Sequence, residues 1–317
     1  MPVSVEFRVP GFERHYLPGV ETLAPTQVRC EDWFQGFCDR VTAAIGKRYL
    51  PVCRISDGEF LFLLGPQPLG RLWPWSTRAK AALRALRNRL LDRQSFNAGG
   101  GARGGRLYSS GSYTASEWRE ARENYGHLLG RISEEGILAI HLTHGTPLPF
   151  QQHYFPAFGR WLAREGVNLT LDNYVPFYLV YALLRGPRKS EILQGRRVAV
   201  VHGASGEERA RIIAGLQREG VADVQWVQIS SNRSLLDRVD CGSLLGSVDV
   251  CLVGAGVGKP NILVQLKPLG VPCLDAGYVF EAWADSTKAR DRAFMIPDTD
   301  PASACLKHLS AAEKSAM

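Results

Sequence analysis

Val198-Ala199-Val200-Val201 sets four apolar side chains in a row, three of them β-branched. A strand with one wet face alternates polar and apolar residues. An unbroken run this short therefore belongs to a strand buried on both faces, as in parallel sheets covered by helices. The segments after it repeat the theme. Residues 209–219 have a helical period behind Ser205-Gly206-Glu207-Glu208, which has the spacing of a capping box. Residues 224–229, 248–253 and 271–274 read as strands, and 234–239 and 261–269 as helices. Upstream, Pro51-Val52-Cys53-Arg54-Ile55 and residues 137–142 read as short strands, while 33–45, 77–91 and 117–129 carry apolar residues at helical spacing. This alternation predicts an α/β fold, Rossmann-like, with a mostly parallel doubly wound sheet and helices on both faces.

Residues 1–30 contain four prolines and no sustained period, so they read as an extended lead-in. Residues 31–298 then form a single α/β catalytic domain, and 299–317 a C-terminal tail. Five glycines in residues 99–105 leave too few side chains to pack, so 97–105 reads as a glycine-rich loop inserted in the domain. Residues 1–10 include Glu6 and Arg8 and lack the apolar core of a signal peptide. The longest apolar stretch, 175–184, is too short to span a bilayer. The seven cysteines include no Cys-x-x-Cys pair and several lie in apolar runs, which predicts buried free thiols, no zinc, and a cytoplasmic location. A net charge of +7 and a pI near 9.1 suit a phosphorylated substrate, an anionic membrane surface or nucleic acid. The arginines are scattered, and no Lys/Arg tract is interleaved with aromatic residues, so nucleic acid is not expected. Peripheral membrane contact remains compatible with the surplus.

In doubly wound sheets ligands sit at the carboxyl ends of the strands. The loops there carry the candidate chemistry. Arg54-Ile55-Ser56-Asp57-Gly58-Glu59 places two carboxylates two residues apart around a glycine, directly after a strand. Gly58 permits a tight fold in which Asp57 and Glu59 face one small cation, Mn²⁺ or Mg²⁺, whose other positions go to water and phosphate. Arg54 adds a bidentate contact to a phosphate. The plainer account is a turn at Asp57-Gly58, with Glu59 starting the next helix. Gly254-Ala255-Gly256-Val257-Gly258-Lys259-Pro260 fails both the Walker and the dinucleotide patterns but keeps a strand, a glycine turn and a helix start, which can offer N–H groups to an anion. Gly254, Gly256 and Gly258 are thus diphosphate candidates, and Lys259 either supplies charge or is a solvated lysine. His202-Gly203-Ala204-Ser205-Gly206 is either a second wall of the crevice or a capped helix with a packing glycine. His144, which begins the loop after the strand 137–142, is an acceptor-side candidate or a structural histidine. Hydrolase motifs are absent.

Arg54-Ile55-Ser56-Asp57-Gly58-Glu59 resembles the Arg-Phe-Gly-Asp-Gly-Glu signature of the GT-D-type glycosyltransferases. Ile229-Ser230-Ser231-Asn232 is similar to that family's strand ending in an asparagine turn. Residues 248–256 and Leu274-Asp275-Ala276-Gly277 look like its strand, glycine turn and Asp-Ile-Gly ending. The resemblance is discontinuous and leaves residues 1–30 and the glycine loop without counterparts. It implies a metal-dependent transferase moving sugar from a nucleotide-sugar donor, typically a UDP-sugar, to a hydroxyl acceptor. Asp57 and Glu59 would hold the metal; Arg54, Lys259, Asn232 and the loop glycines would hold the donor. Where the family has His after Asp-x-Gly, this chain has Tyr278, followed by Val279-Phe280-Glu281. A tyrosine cannot take a proton in the same way near neutral pH. Glu281 or Asp275 becomes the expected base, and the glycine loop with Arg103 a lid over the donor. The alternatives are a non-catalytic nucleotide-sugar-binding protein and a different Rossmann-type enzyme, an oxidoreductase or methyltransferase.

Overall fold

The computed structural model describes residues 12–17, 20–25, 30–64, 79, 83, 86, 113–140 and 151–291. Within the expected lead-in, β1 (Phe12–Leu17) and β2 (Val20–Pro25) form an antiparallel pair. Of the expected 77–91 helix, Ala79, Leu83 and Leu86 are helical, and the rest lies outside the described residues. So do the 97–105 loop with Arg103, the segment holding His144, and the 299–317 tail.

Seven strands make one sheet in the order β5-β4-β3-β9-β8-β6-β7, and every pairing in it is parallel. They are β3 (Leu50–Ile55), β4 (Ile137–Ile140), β5 (Tyr174–Pro176), β6 (Arg197–His202), β7 (Asp223–Gln228), β8 (Val250–Gly254) and β9 (Pro272–Asp275). The apolar runs lie in the interior as their composition requires: β3, β4 and β9 are buried along their whole length, whereas edge strand β7 is half-exposed. The doubly wound α/β architecture read from the sequence is therefore the one observed.

Right-handed crossovers fix where the helices go. The chain moves from β3 to β5 in one direction, jumps back across the sheet to β6 and β7, then returns through β8 to β9. Steps in opposite directions place their helices on opposite faces. Accordingly α3 (Ala115–Glu135) packs with α8 (Lys259–Gln265), while α5 (Tyr178–Arg185) and α7 (Gly206–Arg218) pack with α9 (Val279–Ala284). The remaining helices are α1 (Cys30–Ala44), α2 (Asp57–Leu64), α4 (Gln151–Arg164) and α6 (Lys189–Leu193). α3 shows why the sequence folds this way. Trp118, Ala121, Tyr125, Leu128, Leu129 and Ile132 recur at helical spacing and are all buried. The helix opens on a complete capping box at Thr114 and Glu117.

Two local expectations are corrected. Ser205 precedes α7 but its side chain makes no cap, and Gly206 enters the helix with φ of 55°. Residues 234–236 form a turn rather than the start of a helix. The carbonyls of Ser234 and Asp237 accept instead from Asn261 Nδ2, at 3.1 and 3.0 Å. Cys38, Cys53, Cys241, Cys251 and Cys273 are buried free thiols, as their apolar surroundings implied, and burial pushes the Cys38 thiol up to about 12.

α7 and α9 touch where Gly215 meets Trp283. A Cβ on Gly215 would lie 2.2 Å from the Trp283 carbonyl oxygen. Gly215→Ala should therefore cost about 1–3 kcal/mol by overpacking. A chain of this size should then melt roughly 2–4 °C lower per kcal/mol, as circular dichroism would show. An unchanged melting temperature would mean that these helices do not meet there.

Candidate functional site

The carboxyl ends of β3, β9 and β8 lie side by side, and the topology delivers four charged side chains to them. Arg54 is the penultimate residue of β3 and Asp275 the last of β9. Lys259 is the first residue of α8, just after the glycine turn that follows β8, and Glu59 stands in the first turn of α2. Because β9 runs between β3 and β8, Asp275 is flanked by Arg54 on one side and Lys259 on the other.

The contacts are close. Arg54 Nη2 donates to Asp275 Oδ1 at 2.9 Å, its Nε to the Asp275 carbonyl oxygen at 2.8 Å, and its backbone N–H to Asp275 Oδ2 at 3.2 Å. Lys259 Nζ lies 3.2 Å from Asp275 Oδ2 and 2.7 Å from Glu59 Oε1. Glu59 Oε2 accepts from the Ser56 backbone N–H at 2.8 Å. The Arg54 guanidinium sits 4.4 Å above the Tyr181 ring. No member of the quartet is more than 6% exposed. Two cations and two carboxylates sum to zero charge, which is how four ions can be dry together. Burial by itself lowers the pKa of both cations. For Arg54 the charge of Asp275 then reverses the shift, with Tyr181 and Glu59 behind it; for Lys259, Asp275 and then Glu59 do so. Both end above their ordinary values. Their contribution to stability is fully present below the unfolded pKa and is lost only as strongly alkaline pH rises through the folded one.

Gly277, which follows Asp275-Ala276, makes room for this. A Cβ there would lie 1.7 Å from Arg54 Nη2, and its φ of 45° also favours glycine. The Asp-x-Gly string thus supplies both a carboxylate and a space for its partner.

The glycine turn after β8 is packed rather than open. A Cβ on Gly254 would meet His202 Cδ2 at 2.1 Å, and one on Gly258 would meet Ser234 at 2.3 Å. Gly256 has φ of 53°. Ser234 Oγ donates to the Ala255 carbonyl at 2.6 Å, and Tyr125 Oη to that of Val257 at 3.1 Å. Val257, Gly258, Lys259 and Pro260 are buried. Lys259, expected to meet a diphosphate or solvent, meets Glu59 and Asp275 instead.

Arg54, Glu59, Lys259 and Asp275 are therefore brought together, while other expected members stand apart. Glu281 is exposed on α9, Tyr278 is half-buried at the start of that helix, and Asn232 is exposed beyond β7. Asp57 begins α2, and Gly58 is buried beside it. Among the described residues, no three His, Cys, Asp or Glu side chains converge as metal ligands would. At Glu59 the expected divalent metal does not fit, since one oxygen faces an ammonium and the other an N–H donor. Sequence reading also missed Ser56. Ser56-x-x-Glu59 is itself a capping-box spacing, and half of that box is formed here. Tyr181 was missed for a different reason: it lies within an apolar run and carries no local signal. The loops after β6 and β8 diverge, and this switch point is where a doubly wound sheet opens a ligand crevice. His202 stands at its mouth, Nδ1 accepting from the Ala204 N–H at 2.9 Å and the ring 4.7 Å from Phe280.

The quartet sets a measurable contrast. Asp275→Asn leaves two buried cations short of a charge and should lower stability by about 3–5 kcal/mol in urea denaturation. Asp249→Asn removes the partner of half-exposed Arg197, 2.8 Å away, and should cost no more than about 1 kcal/mol. Equal losses would mean that the Asp275 carboxylate is not in a dry cluster.

No family model, curated protein or solved structure matches this chain in comparisons with known proteins.

Proposed function

We propose that the chain is a glycosyltransferase that moves sugar from a nucleotide-sugar donor, a UDP-sugar first among the candidates, to a hydroxyl of a glycan, glycolipid, protein-linked or small-molecule acceptor. One observation carries the reading. Two strings that resemble the GT-D family, Arg54 to Glu59 and Leu274 to Gly277, meet at the carboxyl edge of a parallel sheet, where Lys259, just past the third (residues 248–256), contacts both. That edge is where doubly wound folds hold nucleotides.

On this reading the donor lies in the crevice between the loops after β6 and β8. The buried quartet beside it holds the ends of β3 and β9 and the start of α8 in fixed register, so the loops above are preorganised. Asp275 has both carboxylate oxygens engaged by cations, which removes it as the base. Glu281, exposed on the helix that starts beside Tyr278, is the candidate base. It takes the proton of the acceptor hydroxyl as the new glycosidic bond forms and the nucleoside diphosphate leaves. Engagement of Asp275 also favours a second reading, in which the chain binds nucleotide sugars without transferring them.

A thermal-shift panel of nucleotide sugars separates these readings. A bound donor at about a hundred times its Kd adds roughly 2.7 kcal/mol, a shift of a few degrees. Glu281→Gln should keep that shift and lose transfer. A shift without transfer to any acceptor would favour the binding protein, and no shift with any nucleotide sugar, in folded protein, would end both readings.

A further inference from the structure

The divalent cation implied by the resemblance and the ammonium of Lys259 claim the same carboxylate. Lys259 Nζ bridges Glu59 Oε1 at 2.7 Å and Asp275 Oδ2 at 3.2 Å, joining carboxylates from α2 and β9. Every other carboxylate oxygen of the pair is also engaged. Glu59 Oε2 accepts from the Ser56 N–H, and Asp275 Oδ1 from Arg54 Nη2. A small divalent ion needs an oxygen at about 2.0–2.2 Å with a lone pair directed at it. Here it would have to enter beside two fixed positive charges that already satisfy the carboxylates.

We infer that Lys259 is the resident cation of this site, standing in place of a divalent metal, and that Glu59 is its counter-ion rather than a metal ligand. The way Lys259 is held supports the assignment. Its side chain is only 6% exposed, Gly258 before it is packed against Ser234, and Pro260 after it fixes the first turn of α8. Withdrawing the ammonium would leave Glu59 and Asp275 dry with a single compensating charge, that of Arg54. An exchangeable metal makes a site depend on ion supply; a lysine built into the chain removes that dependence. The inference concerns the charge site alone and stands whether or not the sugar-transfer reading does.

The test uses full-length protein, Mn²⁺ alone and no nucleotide, with free Mn²⁺ followed by electron paramagnetic resonance. Wild type and Glu59→Gln are expected to give the same Mn²⁺ titration. Lys259→Ala opens a space between two carboxylates and is expected to gain a Mn²⁺-dependent rise in melting temperature, reversed by chelator and absent from Lys259→Ala/Glu59→Gln. A stoichiometric wild-type Mn²⁺ site that Glu59→Gln weakens by about tenfold or more would overturn the inference. So would a folded Lys259→Ala that gains no stability from Mn²⁺. Should Lys259→Ala not fold, the comparison of wild type with Glu59→Gln decides alone.

Discussion

The pairing of Arg54 with Asp275 is the interaction on which the middle of this molecule depends. β3 and β9 are neighbours in the sheet but more than two hundred residues apart in the chain, and each must end at the same level for the loops above to meet. The apolar side chains that fill both faces of these strands supply most of the driving force. Apolar contact has little direction, however, and does not by itself say where a strand stops. Arg54 does, because it grips both the carboxylate and the carbonyl of the last residue of β9.

Lys259 extends the same logic to the opposite face. Its ammonium ties the start of α8 to both β9 and α2, so the glycine turn between β8 and α8 is anchored at its far end. Tyr125 on α3 and Ser234 after β7 hold the carbonyls within that turn. Four elements from distant parts of the chain thus converge on one dry, neutral cluster. Removing one charge damages all of them together, because an orphaned buried ion costs far more than a surface pair contributes.

How much of this was legible in the sequence varied with the range of the interaction. Periodicity is local, and the strands and helices from β6 to β9 were read from it with small errors at their ends. Where a distant side chain decided the outcome, reading failed. The turn at Ser234 is held by Asn261, and no local pattern announces that. Capping-box spacing occurs at Ser56, Thr114 and Ser205, yet the box was assigned at Ser205, whose side chain makes no cap, and overlooked where Glu59 forms half of it. The site shows the same division. Residue types at strand ends marked Arg54, Glu59, Lys259 and Asp275 as worth attention. Which charge answers which is a property of strand order, and strand order is not written in any one segment.

Strand order also bears on the metal that Asp57-Gly58-Glu59 suggests. In isolation Asp57-Gly58-Glu59 is an acidic turn that lacks a counter-ion, and a divalent cation is the simplest remedy. The fold supplies another. With β9 inserted between β3 and β8, α8 begins directly across from α2, and Lys259 arrives where the cation was expected. An apolar quartet of equal volume would be as stable as these ions or more so. What it would lack is direction. Ions whose hydrogen bonds each point to one partner fix the ends of two strands and two helices at the edge where a ligand must find them in place.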